Sequence, residues 1–546
     1  MRLKILFLFF ILASLSFKFS AQENAIDEDI SQEFIDYVLL KSNNSFGIIP
    51  SPLILHYNKS SLNVKSSKTL PEKYDMRTEN LLTSVKNQGG CGGCWNFVAM
   101  GAIESNWIKN DLGIFDLSEQ NMRTCHNYTT FEDGSCSGGN HLISGAYLTR
   151  HAGPILESLD IYNTNPDAIC NDSLPQIAFV DEMVLLPYNL DIIKQSILDY
   201  GGVYANMYWN ESSYSIVTKN YYYSGTQPVN HAVLIVGWDD TRATSGGTGA
   251  WIVKNSWGTS WGENGYFYIS YNDTKALSST AIFQSRSDYD SLSTIYMYDE
   301  LSSTSSTGYG ESVAYGLIKF KANAKQKIYR LGTFLNASNS EVDFFVYSMK
   351  TGNTLSNLIY ALTNQECEYP GYYVFDIPKP IRINKDEEFY IKVRYNTPGY
   401  SYPIPVEKYV ANYADPSIES NCCWISANGD SWTAIGNDIS DGEKDLCIRA
   451  YATPDTSSLI PSKFSFRIYP NPNNDFLNLY FSNYEPTEAL LEIFNSQGKI
   501  VYQENIKSSE SYFTKRLNLS THISKGYYFI KISTKNETYL EKFILF

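Results

Sequence analysis

The chain is poor in charge and short of basic residues. Lys and Arg number 43 against 58 Asp and Glu, charged residues make up 18% of the 546, and the net charge is −15 with a pI of about 5.0. A chain of this balance offers no basic surface to track a phosphate backbone, which excludes nucleic acid as its main partner. Nor is it disordered, because 43% of residues are hydrophobic and 15% aromatic, enough apolar surface to build cores. The apolar run at residues 5–15 is too short for the roughly 20 residues that span a bilayer and no other stretch could cross one, so no transmembrane anchor is expected. Histidine is scarce, at 6 residues. No second Cys-x-x-Cys and no His-x-His pair is present to complete a zinc site with Cys91 and Cys94, and no βαβ pattern supports a thioredoxin-type redox pair. Neither a metal nor a cofactor is expected.

What the chain does have is a polar, glycine-rich loop that runs into an apolar-periodic segment: Gln88-Gly89-Gly90-Cys91-Gly92-Gly93-Cys94-Trp95-Asn96-Phe97. Phe97, Met100, Ile103 and Trp107 recur at spacings of three and four, which predicts an amphipathic helix with one buried face. Cys94 then stands in the first turn. There the unpaired N–H groups and the positive end of the helix dipole favour a thiolate, the nucleophilic form of cysteine. Gln88, on a loop free to fold back, has an amide that can donate to an oxyanion together with the Cys94 N–H.

This segment resembles the active-site segment of papain-like cysteine peptidases, departing from it at Gly93, where Ser or Ala is usual. The resemblance implies a His and an Asn about 130–150 residues further on. Asn230-His231 precedes Ala232-Val233-Leu234-Ile235-Val236, a run that reads as a buried strand with His231 at its lip. Asn255 follows a second strand and opens Asn255-Ser256-Trp257-Gly258. His231 lies 137 residues after Cys94 and Asn255 lies 161 after it, the second slightly beyond the interval. A lone His at a strand end or a lone Asn in a turn carries little functional weight, but together with Gln88 and Cys94 they form a set. The other five histidines (His56, His126, His141, His151 and His522) lack such settings.

The same resemblance implies a reaction: Cys94 as nucleophile paired with His231, Asn255 orienting the imidazole, and Gln88 in the oxyanion site. Gly138 and Gly139 are implied to bind substrate main chain, and Trp257 is placed to cover the imidazole contact. Cys91 is implied to pair with Cys136, and Cys125 with Cys170. Nine cysteines in an exported chain point to four disulfides and one free nucleophile. Cys367, Cys422, Cys423 and Cys447 then pair among themselves, the adjacent Cys422–Cys423 bond being the least favoured geometry.

Along the chain, residues 1–21 have the basic start and short apolar run of a signal peptide, with cleavage near Ala21. Residues 22–69 are a pro- or strap segment with a short helix at 33–41 and a Pro-broken strip, Gly47-Ile48-Ile49-Pro50-Ser51-Pro52. Residues 70–287 form the peptidase, with Ser118 and its followers opening a helix and a further helix at 190–200. Residues 288–452 alternate as strands, for example Phe389, Ile391, Val393 and Tyr395 against Tyr390, Lys392 and Arg394. This part resembles the lectin-like domain behind some bacterial papain-like peptidases, and its aromatics suggest glycan binding. A linker spans 453–463. Residues 464–546, with Pro470-Asn471-Pro472 and the terminal Lys542-Phe543-Ile544-Leu545-Phe546, resemble the C-terminal sorting domain of the type IX secretion pathway, implying that machinery as a partner and a secreted or cell-surface product.

The fold class expected is α+β: a two-lobed papain-like peptidase, helical lobe plus β-barrel-like lobe, then a β-sandwich and a small Ig-like tail. The function expected is a secreted cysteine endopeptidase acting on proteins or peptides. The alternative is a surface adhesin or glycan-binding protein that uses an inactive peptidase fold as scaffold.

Overall fold

The computed structural model describes residues 24–40, 47–58, 70–129, 134–436, 443–455, 465–469, 476–482, 488–507, 512–519, 523–534 and 538–545. The signal peptide at 1–21 with its cleavage near Ala21, most of the linker at 453–463, the Pro470-Asn471-Pro472 turn and His522 lie outside the described residues. The chain divides into two compact units, Met1–Pro454 and Asp455–Phe546.

The helices of the first unit are α1 (Gln32–Leu40), α2 (Cys94–Lys109), α3 (Glu119–Cys125), α4 (His141–Thr149) and α5 (Leu190–Tyr200). The expectation of a single buried face on the cysteine helix is corrected: every residue of α2 from Cys94 to Trp107 is buried. The cause is its position, packed against the strands His231–Thr244 and Thr280–Asp288 and also against α3 and α4. A helix enclosed all round must neutralise any charge it carries. Glu104 meets this requirement by accepting from Lys86 Nζ at 3.3 Å and from the Leu117 N–H at 2.9 Å. Ser118 caps α3, its side chain accepting from the Asn121 N–H, and Asn189 caps α5 in the same way; each cap satisfies a donor left over at a helix start.

The β structure of the peptidase part is built on the strand His231–Thr244, which pairs antiparallel with Val203–Met207 and with Gly247–Lys254. Its first nine residues are buried, as an unbroken apolar run covered on both faces requires. The sheet continues beyond the peptidase. Ala178–Leu186 pairs with Thr280–Asp288 on one side and reaches Gly371–Ile383 on the other, through Val184 with Gly371 and Met183 with Tyr372. Only glycine fits at that seam: a Cβ on Gly371 would lie 2.2 Å from the Met183 carbonyl oxygen, and its φ is +152°.

Past residue 288 the described elements are strands. A six-stranded sheet, an additional four-stranded sheet and the extended central sheet enclose a core of Ile318, Phe344, Ile391, Val393 and Tyr395, among others. The alternation along Glu388–Asn396 holds, except that Tyr390 on the opposite face is also buried, against Leu317 and Trp432. The four-stranded sheet takes in the N-terminal strand Ile26–Asp27.

The disulfides Cys91–Cys136 and Cys125–Cys170 are formed. The other two expected pairs are not, and Cys94, Cys367, Cys422, Cys423 and Cys447 are free and buried. Cys447 packs in the peptidase-side core and Cys367 in the other, while the sulfurs of Cys422 and Cys423 stand 3.7 Å apart, beyond the ~2.05 Å of a bond. Buried free cysteine behaves as a small hydrophobe.

The second unit is two antiparallel sheets, one centred on Phe476–Ser482 and the other on the Ala489–Asn495 and Gly526–Ser533 pair. Leu477, Leu479 and Phe481 from the first pack with Leu491, Ile493, Ile530 and Phe543 from the second, the layered arrangement of a small sandwich.

Candidate active site

Helix α2 begins at Cys94, with Gly93 as an N-cap that has no side chain to offer. The Asn96 and Phe97 N–H groups bond the Gly93 carbonyl, while those of Cys94 and Trp95 act on the Cys94 sulfur. The sulfur also accepts from the Ala232 N–H at 3.4 Å. A helix start from one lobe and a strand start from the other thus meet, and the residue next to Ala232 is His231.

His231 Nε2 lies 2.9 Å from Asn255 Oδ1. That oxygen also accepts from the Ser256 N–H at 2.9 Å, which identifies it as the amide carbonyl, since a backbone N–H can only donate. Nε2 must therefore carry the proton, and Nδ1 is the basic nitrogen of the neutral ring. Trp257 lies flat against the imidazole, with centroids 4.7 Å apart and planes at 23°. Behind it Trp209 and Trp261 pack edge-on, so the hydrogen bond to Asn255 is shielded from solvent.

Gln88 is held at four points. Its N–H donates to the Ser256 carbonyl at 2.8 Å, its Oε1 accepts from Ser256 Oγ at 2.6 Å, its Nε2 donates to the Cys91 carbonyl at 3.0 Å, and its carbonyl accepts from Tyr162 Oη at 2.9 Å. Ser256 thereby ties together the groups that hold the imidazole and the side-chain amide. Sequence reasoning missed Ser256 and Tyr162. The signal for Ser256 was its place between Asn255 and Trp257; Tyr162 had none.

Cys94, His231, Asn255 and Gln88 are all buried, the first two completely. Burial pushes the Cys94 thiol up to about 12, against the downward pull of the Ala232, Trp95 and Cys94 N–H groups. It pushes His231 down to about 4, against the upward pull of the Asn255 hydrogen bond. Both shifts favour a neutral thiol beside a neutral imidazole, because charge is disfavoured without water.

The N-terminal segment packs against the Gly138-Gly139 strip. The Gly139 N–H donates to the Gly47 carbonyl and the Ile49 N–H to the Gly139 carbonyl, both at 3.0 Å, a parallel bridge centred on Ile48 and Gly139. Asn140 Nδ2 donates to the Ile49 carbonyl at 2.9 Å. Gly138, at φ +116°, has room only for hydrogen, since a Cβ would stand 2.7 Å from the Gly47 carbonyl. Gly139 is thus bonded through its main chain to the protein's own residues 47–49, and Gly138 lies against Gly47. Ile48 and Ile49 are fully buried. Both ends of the segment are fastened: Asp27 to Lys444 and Lys408 at 2.6 and 2.9 Å, and Asn58 Nδ2 to the Pro398 carbonyl at 2.9 Å.

Residues 70–285 match the papain family cysteine protease model, residues 295–452 a lectin like domain and residues 467–545 a secretion system C-terminal sorting domain. Mouse cathepsin S is 31% identical over 211 residues, 38% of this chain and 61% of that protein, so less than two thirds of its length is spanned. Mouse cathepsin J is 30% identical over 255 residues, 46% of this chain and 73% of that protein. The fold of the cysteine protease and lectin-like domains of Cwp84, a surface layer associated protein of Clostridium difficile, is similar with a TM-score of 0.68 at 22% identity, over 80% of this chain and 99% of that one. On the cathepsin J match and the 70–285 segment that carries Cys94, His231 and Asn255, the chain belongs to the papain family of cysteine proteases.

Proposed function

We propose that the protein is an exported cysteine endopeptidase that cleaves peptide bonds through an acyl-enzyme on Cys94. The observation that carries this reading is the meeting of the Cys94 sulfur, at a helix N-terminus, with the strand start that bears His231, whose Nε2 is held by Asn255. With Nε2 committed to Asn255, Nδ1 takes the thiol proton, and the sulfur's electron pair forms the bond to the substrate carbonyl carbon. The carbonyl oxygen becomes an oxyanion that receives the Cys94 N–H and a Gln88 Nε2–H, a contribution of about 2.7–4 kcal/mol per donor in comparable sites. His231 returns the proton to the leaving amine, then takes one from water as its oxygen attacks the thioester. Gly138 and Gly139 bind substrate main chain after residues 47–49 leave them, which makes residues 22–69 a covering pro-segment. Exchange of that segment for open water relieves the burial that holds Cys94 and His231 neutral.

The terminal unit supports export by the type IX route, following entry through a signal peptide. For the 288–452 part we propose glycan binding on the outer face of its six-stranded sheet. There Tyr315, Phe345 and Tyr347 surround Lys392, whose Nζ lies 5.7, 5.1 and 6.0 Å from their ring centres, and Lys350 caps Trp424 at 4.3 Å. Flat rings with cations beside them suit an acidic saccharide, and loss of array binding in Trp424→Ala checks this.

The test of the main reading is turnover of a peptide library by protein freed of residues 22–69. Cleavage in wild type and none in Cys94→Ala, with the same thermal unfolding, is expected; equal cleavage in both would remove Cys94 as the nucleophile, and none in either would return the adhesin reading.

A further inference from the structure

Away from the peptidase cleft, Cys422, Cys423 and Asp445 converge in the β-rich part of the first unit, all three buried. Cys423 opens the strand Cys423–Ser426 of the six-stranded sheet, and Asp445 lies on Lys444–Leu446 of the four-stranded sheet. Adjacent residues of an extended strand face opposite ways. Here Cys422 stands before the strand, which starts at Cys423, and both sulfurs reach the same side. Sγ–Sγ is 3.7 Å, Cys423 Sγ–Asp445 Oδ1 is 3.7 Å and Cys422 Sγ–Asp445 Oδ1 is 4.0 Å. A tetrahedral zinc ion with Zn–S of about 2.3 Å sets two sulfurs about 3.8 Å apart and a sulfur and a carboxylate oxygen about 3.5 Å apart. The triangle is already close to those edges.

Charge points the same way. Among the described residues no Lys or Arg pairs with Asp445, whose Oδ2 instead accepts from the Glu419 N–H at 3.1 Å. Glu407, also buried, sits directly across the strand ladder from it. Arg449, a neighbouring buried cation, is committed to Asp299 through both carboxylate oxygens at 3.0 Å. Two thiols and a carboxylate with no cationic partner among the described residues therefore share one enclosed space; a divalent thiophilic cation would release both thiol protons to solvent and be met there by two thiolates and the carboxylate. The Glu419 contact is the kind of outer hydrogen bond that orients a ligating carboxylate.

We propose that Cys422, Cys423 and Asp445 bind a zinc ion that links the two sheets, with its fourth position left to water or another oxygen donor. The ion is remote in sequence from the peptidase residues and serves the β-rich part.

The experiment uses the full chain carrying Cys94→Ala, so that the thiol–imidazole pair offers no competing zinc site. After equilibration with zinc chloride and gel filtration, about one zinc per chain is expected by elemental analysis. Cys422→Ser and Asp445→Asn should each lower occupancy at limiting zinc by at least tenfold, in line with the 10–100-fold losses seen even for outer-shell changes. If either variant fails to fold, a second measurement stands: zinc should protect Cys422 and Cys423 from N-ethylmaleimide in the Cys94→Ala chain, and a chelator should expose them. Zinc content unchanged in folded variants, labelling unaffected by zinc, or a peptide map showing Cys422 joined to Cys423 in a disulfide would each overturn the proposal.

Discussion

Truncating the buried Ile49 to Ala should uncover the active site of the unprocessed protein. Ile49 is fully buried and its N–H is bonded to Gly139. The substitution keeps that hydrogen bond and removes the side chain. Loss of a buried Ile side chain costs about 2–4 kcal/mol, which at about 1.4 kcal/mol per decade raises the uncovered population roughly 30- to 700-fold. The assay is the second-order rate of Cys94 alkylation by iodoacetamide, with Cys94 located by peptide mapping. In wild type the rate should be far below that of a free thiol, since burial favours the protonated form. In Ile49→Ala it should rise by the factor above, and Ile48→Ala should act in the same direction. Should Ile49→Ala lower the unfolding temperature yet leave the alkylation rate within about twofold of wild type, residues 47–49 do not control access to the sulfur.

Asn255→Ala should cut kcat by about 10²-fold or more with little change in KM, because the Nε2–H tautomer loses its acceptor; steady-state kinetics on the strap-free protein checks it. Ser256→Ala should reduce kcat about tenfold and Gln88→Ala about 10²–10³-fold, both through the oxyanion donor. Denaturing thiol titration in the presence of a chelator should count five free thiols, matching the five unpaired cysteines. At Asp27, burial raises the carboxyl but Lys444 and Lys408 outweigh it and hold it below the usual range. Its anchoring of the N-terminal segment is therefore present above the usual carboxylate value of about 3.9 and lost as pH falls below it. Exchange protection of residues 24–40 and 47–58, corrected for the intrinsic rate at each pH, should fall as pH drops below about 4, and less so in Asp27→Asn.

The sequence carried the site better than its surroundings. Cys94, His231 and Asn255 were legible because each sits at the boundary of a local pattern: a loop against a helix, a polar pair against an apolar run, a strand against an aromatic turn. Ser256 and Tyr162 were not, because their role is a hydrogen bond to Gln88 across the fold. The full enclosure of α2 was missed by reading only Phe97, Met100, Ile103 and Trp107; Ala99, Gly101, Ala102 and Ser105, small residues on the remaining faces, were the overlooked sign. The sheet that runs from Ala178–Leu186 into Gly371–Ile383 rests on a pairing nearly two hundred residues apart in sequence, which no local period encodes. The cysteine parity argument failed because burial, and not pairing, accounts for Cys367 and Cys447. The pro- or strap segment at 22–69 was legible, but its point of attachment was not: residues 47–49 hold Gly139 through backbone groups that every sequence possesses.

The most direct measurement is the pH dependence of Cys94 alkylation in protein freed of residues 22–69, compared with the same protein carrying His231→Ala. A thiolate stabilised by the imidazole should react well below the ordinary cysteine pKa of about 8.5, and that acidic limb should vanish in His231→Ala. Identical profiles for the two proteins, both following an ordinary thiol, would contradict the pairing of Cys94 with His231.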